Sequence, residues 1–147
     1  MKRIISLITL GLAITLSAHA DATGTWIGWG EWTFQGSGAD CNMTIGYRES
    51  ATEFRRLGGT FDCGIVALHS DPLTWTRQGN QLFLNGEAAG EVSENGFFTK
   101  EPYGDGVHVE TKFTREGLHA DYQERWVNEQ GVEIYLITGR LFLRQRP

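Results

Sequence analysis

The feature that most constrains the fold of this chain is an alternation of apolar and polar residues with a period of two. In residues 107–114, apolar or threonine side chains at the odd positions alternate with charged or polar side chains at the even positions. Similar runs occupy residues 41–48 and 118–127. This period is that of a β-strand with one face on a core and the other in water. No stretch after residue 20 shows apolar residues at helical spacing, so the pattern predicts an all-β protein.

Glycine-containing turns separate these runs. The chain has 19 glycines and only three prolines. Asn95-Gly96 is a strong signal for a two-residue hairpin, and Gly79-Asn80 is predicted to close another. The pattern predicts eight to ten strands, near residues 24–34, 41–48, 53–63, 65–69, 73–77, 81–92, 97–101, 107–114, 118–127 and 132–143.

Sequential antiparallel strands leave two exposed sheet edges unless the sheet closes on itself. We therefore predict an antiparallel up-and-down β-barrel of about 8–10 strands, with a two-sheet sandwich as the alternative. Either architecture needs large inward side chains, and the chain has five Trp, four Tyr and eight Phe residues. With about eight strands, a barrel interior is either filled by side chains or holds one small ligand.

The first 20 residues have the layout of a secretory signal peptide. Two basic residues, Lys2 and Arg3, precede an apolar stretch over residues 4–16 and an Ala-His-Ala cleavage site that ends at Ala20. The apolar stretch is too short to span a bilayer comfortably, so no membrane insertion is expected. We expect a mature protein of residues 21–147, a single β-barrel domain that is periplasmic or secreted.

The charge of the chain narrows the choice of partners. Lys2 and Arg3 are two of 13 basic residues, so the predicted mature chain keeps 11 against 18 acidic residues and carries a net charge of −7. An acidic chain without a basic run argues against binding to nucleic acid or to anionic membrane surfaces. We therefore expect no nucleic-acid partner.

The two cysteines, Cys41 and Cys63, are predicted to form one disulfide, because an even number in an exported chain indicates pairing. Residues 41–48 and 53–63 can form a hairpin in which the two cysteines face each other. That register pairs Met43 with Phe61, Ile45 with Gly59 and Tyr47 with Leu57. Directly opposed residues lie within disulfide reach, so one register joins the sulfurs and aligns an apolar face on both strands.

The first predicted strand, residues 24–34, is the most distinctive segment. Its inward candidates are Trp26, Gly28, Gly30, Trp32 and Phe34. Glycines on such a face leave room for a bend or for a group lying against the backbone. Trp26 is predicted to be buried against the closed end of the barrel, and a wall of a ligand pocket is the alternative interpretation of this face.

The same segment resembles a known superfamily. Gly24-x-Trp26 resembles the first-strand G-x-W of lipocalins, and its extension through Gly28 and Gly30 is similar to the opening of nitrobindins. Residues 42–46, Asn-Met-Thr-Ile-Gly, resemble a second-strand segment of avidins. These motifs are those of the calycins, which comprise lipocalins, fatty-acid-binding proteins, avidins and nitrobindins. The resemblance implies an up-and-down barrel with an interior site.

Finer family features carry over only in part. The resemblance implies a basic residue packed on the first-strand tryptophan, for which Arg140 and Arg144 are the candidates on the last strand. It does not extend to haem, because no histidine follows His119, or to biotin, because paired tryptophan motifs are missing. We expect no cofactor.

The search for catalytic and metal motifs is mostly negative. The sequence contains no G-x-S-x-G, H-E-x-x-H or C-x-x-C motif. The histidines that follow residue 20 are His69, His108 and His119, and their positions on the predicted strands do not favour a metal site. We therefore expect neither a metal site nor enzymatic activity.

Glu124 stands out among the carboxylates because alternation places it on the face of Tyr122 and Trp126. A buried carboxylate is costly unless it is paired. Glu124 therefore lies at the barrel mouth, or pairs with an arginine, or anchors a hydroxyl, amine or amide of a ligand.

These observations predict an exported protein that binds a small, mainly apolar molecule inside its barrel. The predicted ligand-binding residues are Trp29, Trp32, Tyr122, Glu124, Trp126 and Arg140. The alternative function is that of an envelope interaction or inhibitor module, with a filled interior and an active outer surface. A cavity above about 300 Å³ favours binding. The sequence specifies neither the identity of the ligand nor the oligomeric state.

Overall fold

The computed structural model describes residues 21–145, which form one antiparallel sheet of 11 strands. The predicted signal peptide, residues 1–20, lies outside the described residues. Within those residues, no helix is long and apolar enough to cross a membrane. The strands are β1 (Gly24–Phe34), β2 (Ser37–Glu49), β3 (Glu53–Asp62), β4 (Ala67–Ser70), β5 (Leu73–Gln78), β6 (Gln81–Leu84), β7 (Glu87–Ser93), β8 (Gly96–Gly104), β9 (Val107–Glu116), β10 (His119–Val127) and β11 (Glu133–Leu143).

Hydrogen bonds between the strands close the sheet into a ring. β1 pairs with β2 on one side and with β11 on the other, so the first and last strands are neighbours. β3 pairs with β2 on one edge and with both β4 and β5 on the other, and the chain then continues strand by strand to β11. This closure confirms the predicted antiparallel, barrel-like fold.

Left-handed turn residues mark where the strands reverse. Gln35 and Gly36 have φ values of 49° and 79°, and Asn85 and Gly86 have values of 54° and 84°. Successive positive values favour glycine and asparagine and match the right-handed twist of a hairpin. The Asn85-Gly86 turn divides the predicted strand 81–92 into β6 and β7, so that prediction is wrong. The Asn-Gly pair was itself the signal for the break.

The predicted hairpin at Asn95-Gly96 exists, but its turn lies one residue earlier. Gly96 is the first residue of β8 and pairs with Ser93, which leaves Glu94 and Asn95 as the turn. A Cβ atom at Gly96 would overlap the carbonyl oxygen of Phe113 on β9. This glycine therefore serves close strand packing rather than the turn.

The predicted disulfide between Cys41 and Cys63 is confirmed, with a Cα–Cα distance of 3.9 Å. The pairs Met43–Phe61 and Ile45–Gly59 also agree with the predicted register. Beyond them, a β-bulge between Gly46 and Tyr47 shifts the pairing by one residue, so Tyr47 faces Arg56 instead of the predicted Leu57. Because a shift of one residue exchanges the two faces of a strand, Arg56 is buried and Leu57 is exposed.

Gly30 of β1 and Gly139 of β11 accommodate a side chain of the protein itself. A Cβ atom at Gly30 would lie 2.8 Å from the Met43 sulfur and would overlap the carbonyl oxygen of Thr138. The Met43 sulfur also occupies the position that a Cβ atom would take at Gly139 on β11. Met43 therefore fills the space that the glycines leave on this face.

Candidate functional site

Three rows of inward-facing side chains cross the strands β8, β9 and β10, and they divide the barrel interior into layers. The rows are Phe97, Phe113 and Tyr122; then Thr99, Thr111 and Glu124; then Glu101, Val109 and Trp126. The first row is aromatic, the second is polar and buried, and the third leads to the end of the barrel that Trp126 marks. The interior therefore changes from apolar at the closed end to polar toward the open end.

The closed end is built around Trp26, which has no exposed surface, as predicted. Its indole N–H donates to the carbonyl oxygen of Ala22 over 2.8 Å, and its ring lies edge-on to Phe113 at 4.9 Å between ring centres. The segment immediately before β1 thus covers this end of the barrel. The buried indole keeps its hydrogen bond, as a polar group inside a core requires.

The basic residue over Trp26 comes from β9, not from the last strand. The guanidinium carbon of Arg115 lies 5.4 Å from the centre of the indole ring. The two predicted candidates, Arg140 and Arg144, are exposed. The buried residues Ile137 and Leu141 of β11 have odd numbers, whereas Arg140 has an even number. Because successive side chains on a strand point to opposite faces, Arg140 points outward.

Above Trp26, aromatic rings fill the barrel. Phe97 and Phe113 are stacked at 5.1 Å, and Tyr47 lies edge-on to Phe97 at 4.8 Å. Phe54 contacts both Phe97 and Trp75, with ring centres 4.6 and 5.6 Å apart. This part of the interior is a packed core, so a ligand has no space there.

The polar layer is centred on Glu124, of which only 4% is exposed. Oε2 accepts a hydrogen bond from the Tyr122 hydroxyl at 2.6 Å, and Oε1 accepts one from the Trp126 indole N–H at 2.9 Å. The Ser70 hydroxyl is the third donor to Glu124 and lies 3.4 Å from Oε2. The predicted inward position of Glu124 beside Tyr122 and Trp126 is what the structure shows.

Two tyrosine hydroxyls near Glu124 are held in their protonated form. Burial raises the pKa of Tyr122 well above its ordinary value of 10.0, and the neighbouring Glu124 charge raises it further. Burial also raises the pKa of Tyr135, again with a contribution from Glu124. Since the Tyr122 hydroxyl keeps its proton, it acts as the donor and the Glu124 carboxylate as the acceptor.

A buried ion pair lies in the same interior. Arg56, 6% exposed, donates to both carboxylate oxygens of Glu101 at 2.9 and 3.0 Å, and its Nε–H donates to the carbonyl oxygen of Asp71 at 2.7 Å. Burial alone would lower the pKa of Arg56, but the hydrogen bonds and the charge of Glu101 outweigh it, and the pKa is raised. All three guanidinium nitrogens of Arg56 thus donate a hydrogen bond, two of them to the same carboxylate. The charge of Arg56 is therefore fully paired.

A cleft of about 440 Å³ opens beside Glu124 and Arg56. Its polar lining consists of Arg56, His69, Ser70, Asp71, Asn85, Glu101 and Glu124, and its remaining lining of Pro72, Leu73, Leu84, Pro102, Tyr103, Val109 and Trp126. The volume lies within the range of small-molecule sites, about 300–1,000 Å³. This cleft is the candidate ligand site.

The barrel wall is incomplete on both sides of the β6–β7 hairpin tip, which carries Asn85. β7 pairs with β8 only over Gly90–Ser93, and β5 pairs with β6 only over Thr76–Gln78. A second cleft, of about 520 Å³, lies between the tip and the end of β8 and shares Leu84, Asn85 and Pro102 with the first. These openings give the interior site contact with solvent.

The structure brings three of the six predicted ligand-binding residues together and separates the rest. Tyr122, Glu124 and Trp126 form the hydrogen-bonded group described above. Trp32 and Glu124 both pair with Ile137 of β11, so they lie in the same row of side chains, but Trp32 does not line the cleft. Its buried indole N–H has no hydrogen-bond partner within residues 21–145. Trp29 and Arg140 face each other on β1 and β11, and both lie on the outer surface. They therefore take no part in an interior site.

Sequence reasoning missed the Arg56–Glu101 pair. Side chains two positions apart on a strand share a face. Phe54 lies two residues before Arg56, and Thr99 lies two residues before Glu101, so each was a signal that the member of the pair after it faces inward. The pairing itself joins residues 45 positions apart and depends on the closure of the barrel. Within the described residues, no group of three His, Cys, Asp or Glu side chains is placed to hold a metal ion.

Comparison with known proteins assigns no family to the chain. No protein-family model matches the sequence, and no curated protein sequence matches it significantly. The candidate function therefore rests on the geometry of the cleft.

Proposed function

We propose that this chain is an exported β-barrel, of the calycin type that its opening strand resembles, and that it binds a small, mainly apolar molecule in the cleft beside Glu124. The observation that carries the proposal is a buried carboxylate at the wall of a cleft of about 440 Å³ in an otherwise tightly packed barrel. Apolar walls supply buried area and a few fixed polar groups supply orientation, as in most small-molecule sites.

The fixed geometry of the polar groups supports binding. Tyr122 and Trp126 hold Glu124 from two directions, and Glu101 with the Asp71 carbonyl holds Arg56. Groups that are already oriented lose little conformational entropy when a ligand arrives, which favours affinity.

Binding without catalysis accounts best for the carboxylates of the cleft. Acid–base hydrolysis usually needs two cooperating carboxyl groups. Here Glu101 is engaged in both hydrogen bonds to Arg56, which leaves Glu124 as the single buried carboxylate without a basic partner within residues 21–145. We therefore propose a carrier or sensor of its ligand.

Export is part of the proposal. The Cys41–Cys63 disulfide fits an oxidising compartment, because such bonds persist mainly in the periplasm and outside cells. The predicted signal peptide would direct the chain there, either to the periplasm or into the medium.

Native mass spectrometry of the protein purified from its own host tests the proposal. A retained ligand appears as added mass, and Glu124→Gln, which keeps the shape of the side chain, should reduce it. Glu116→Gln makes the same change at an exposed position beyond the cleft and should leave the added mass unchanged. Unliganded protein from its own host, with no mass recovered from an extract of that host either, contradicts the proposal.

The outer surface favours a second candidate function, that of an interaction or inhibitor module. Trp29 is 62% exposed and lies 5.2 Å from Phe142 between ring centres, and the neighbouring Ile27 is 40% exposed. Exposed aromatic side chains close together are typical of protein interfaces. If this surface carries the function, Trp29→Ala abolishes a pull-down partner from the host envelope that Glu124→Gln leaves bound.

A further inference from the structure

We propose that the ligand of the Glu124 cleft is an organic cation, a protonated amine attached to an apolar body, with the ammonium group bound to Glu124. This inference rests on the proposed function and names the chemical class of the ligand. Three properties of the cleft carry it: its charge balance, an unused acceptor position and the apolar walls.

The charge of the interior is not balanced by the protein. Arg56 is the buried basic residue of the cleft, and Glu101 neutralises it with two hydrogen bonds. Glu124 makes no ion pair within residues 21–145, since its donors are a phenol, an indole and a serine hydroxyl. The buried groups of the cleft thus carry one net negative charge, and an uncompensated buried charge is costly until a counter-charge arrives.

The hydrogen bonds that the structure gives Glu124 are all ones that it accepts. An indole N–H is a donor only, and the Tyr122 hydroxyl keeps its proton, so each carboxylate oxygen already accepts a hydrogen bond from one of these donors.

One acceptor position on Glu124 remains for a ligand. A carboxylate offers about four lone-pair positions. Oε2 receives Tyr122 and Ser70, whereas Oε1 receives Trp126 alone. An ammonium group, with several N–H donors and a positive charge, fits the remaining position on Oε1 and makes the stronger, charge-assisted type of hydrogen bond.

The walls around Glu124 suit the rest of such a molecule. Leu73, Leu84 and Val109 line the cleft and supply apolar contact. Trp126 is flanked by Tyr103 at 4.1 Å and by Tyr135 at 4.6 Å between ring centres, which gives an electron-rich border to the site. Aromatic rings attract cations, so this border favours an ammonium group over a neutral hydroxyl or an anion.

Isothermal titration with three probes of similar shape tests the inference on the wild-type protein. The probes are phenethylamine, phenethyl alcohol and hydrocinnamate, which present an ammonium, a hydroxyl and a carboxylate on the same phenyl body. We expect the amine to bind about tenfold more tightly than the alcohol, a conservative figure for one charge-assisted hydrogen bond. Glu124→Gln should remove this preference, and Glu116→Gln should keep it. The comparison of probes on the wild-type protein needs no variant to fold.

Each other outcome overturns the inference and separates it from the proposed function. Equal binding of amine and alcohol contradicts the cation and leaves a neutral ligand in the same cleft. Preference for hydrocinnamate makes Arg56 the anchor instead. Binding of none of the probes also contradicts the inference. In that case native mass spectrometry decides about the proposed function. The proposed function stands if a ligand without an amine is retained, and it fails if no ligand is found.

Discussion

The Arg56–Glu101 pair gives the sharpest prediction about stability. Glu101→Gln removes the charge that balances a guanidinium of which 6% is exposed, and leaves that group the Asp71 carbonyl and one amide oxygen as acceptors. Breaking a buried pair by removing one partner costs about 3–5 kcal/mol. Glu101 is somewhat more accessible, at 14% exposed, and glutamine still accepts one hydrogen bond, so we expect the lower end of that range, about 3 kcal/mol.

The adjacent surface pair supplies a matched control. Arg55 and Glu53 lie on the same strand and form a salt bridge of 3.0 Å, but their side chains are 45% and 42% exposed. Exposed pairs contribute about 0–1 kcal/mol, because water screens them. Glu53→Gln therefore makes the same chemical change with a small expected effect.

Urea unfolding followed by tryptophan fluorescence measures both changes. The double variant Arg56→Met/Glu101→Leu replaces the pair by apolar side chains, and we expect it to lose less free energy of unfolding than Glu101→Gln alone, since no buried charge is left unpaired. A loss below about 1 kcal/mol for Glu101→Gln, equal to that for Glu53→Gln, would refute the burial of this pair.

Three further predictions concern the closed end, the disulfide and the tyrosines. Trp26→Ala should lower the free energy of unfolding by about 3–5 kcal/mol, as for other large core truncations. Trp29 is exposed, so Trp29→Ala should change it by at most about 0.5 kcal/mol. Equal urea midpoints for the two variants would contradict the burial of Trp26 at the closed end. Replacing Cys41 and Cys63 by alanine opens a loop of 22 residues and should cost about 3 kcal/mol, and thiol titration of the unreduced, unfolded wild type should find no free cysteine. Because burial raises the pKa of Tyr122, the folded protein holds the proton of this hydroxyl more tightly than the unfolded chain does. The contribution of Tyr122 to stability is therefore fully present below pH 10 and is lost as the pH rises above it. Tyrosinate absorbance should increase together with the loss of near-ultraviolet circular dichroism.

The alternation of residues predicted which side chains of β10 around Glu124 face the interior. A strand exposes its two faces at a fixed period of two, so the inward position of Glu124, between Tyr122 and Trp126, followed from its place in the chain alone. The same periodicity, together with two cysteines, predicted the disulfide and the register around Met43, because short-range pairing in a hairpin depends on local sequence.

Contacts across the barrel were decided only by the tertiary structure. The bulge at Gly46–Tyr47 turned Arg56 inward, whereas the predicted register had no bulge and paired Tyr47 with Leu57. The partners of Arg56 and of Trp26 come from strands far along the chain, Glu101 on β8 and Arg115 on β9. Sequence determined the faces of the strands, because each face is a local property. Closure of the ring decided which of those faces meet, because that depends on the strand order, the bulges and the register of the whole sheet.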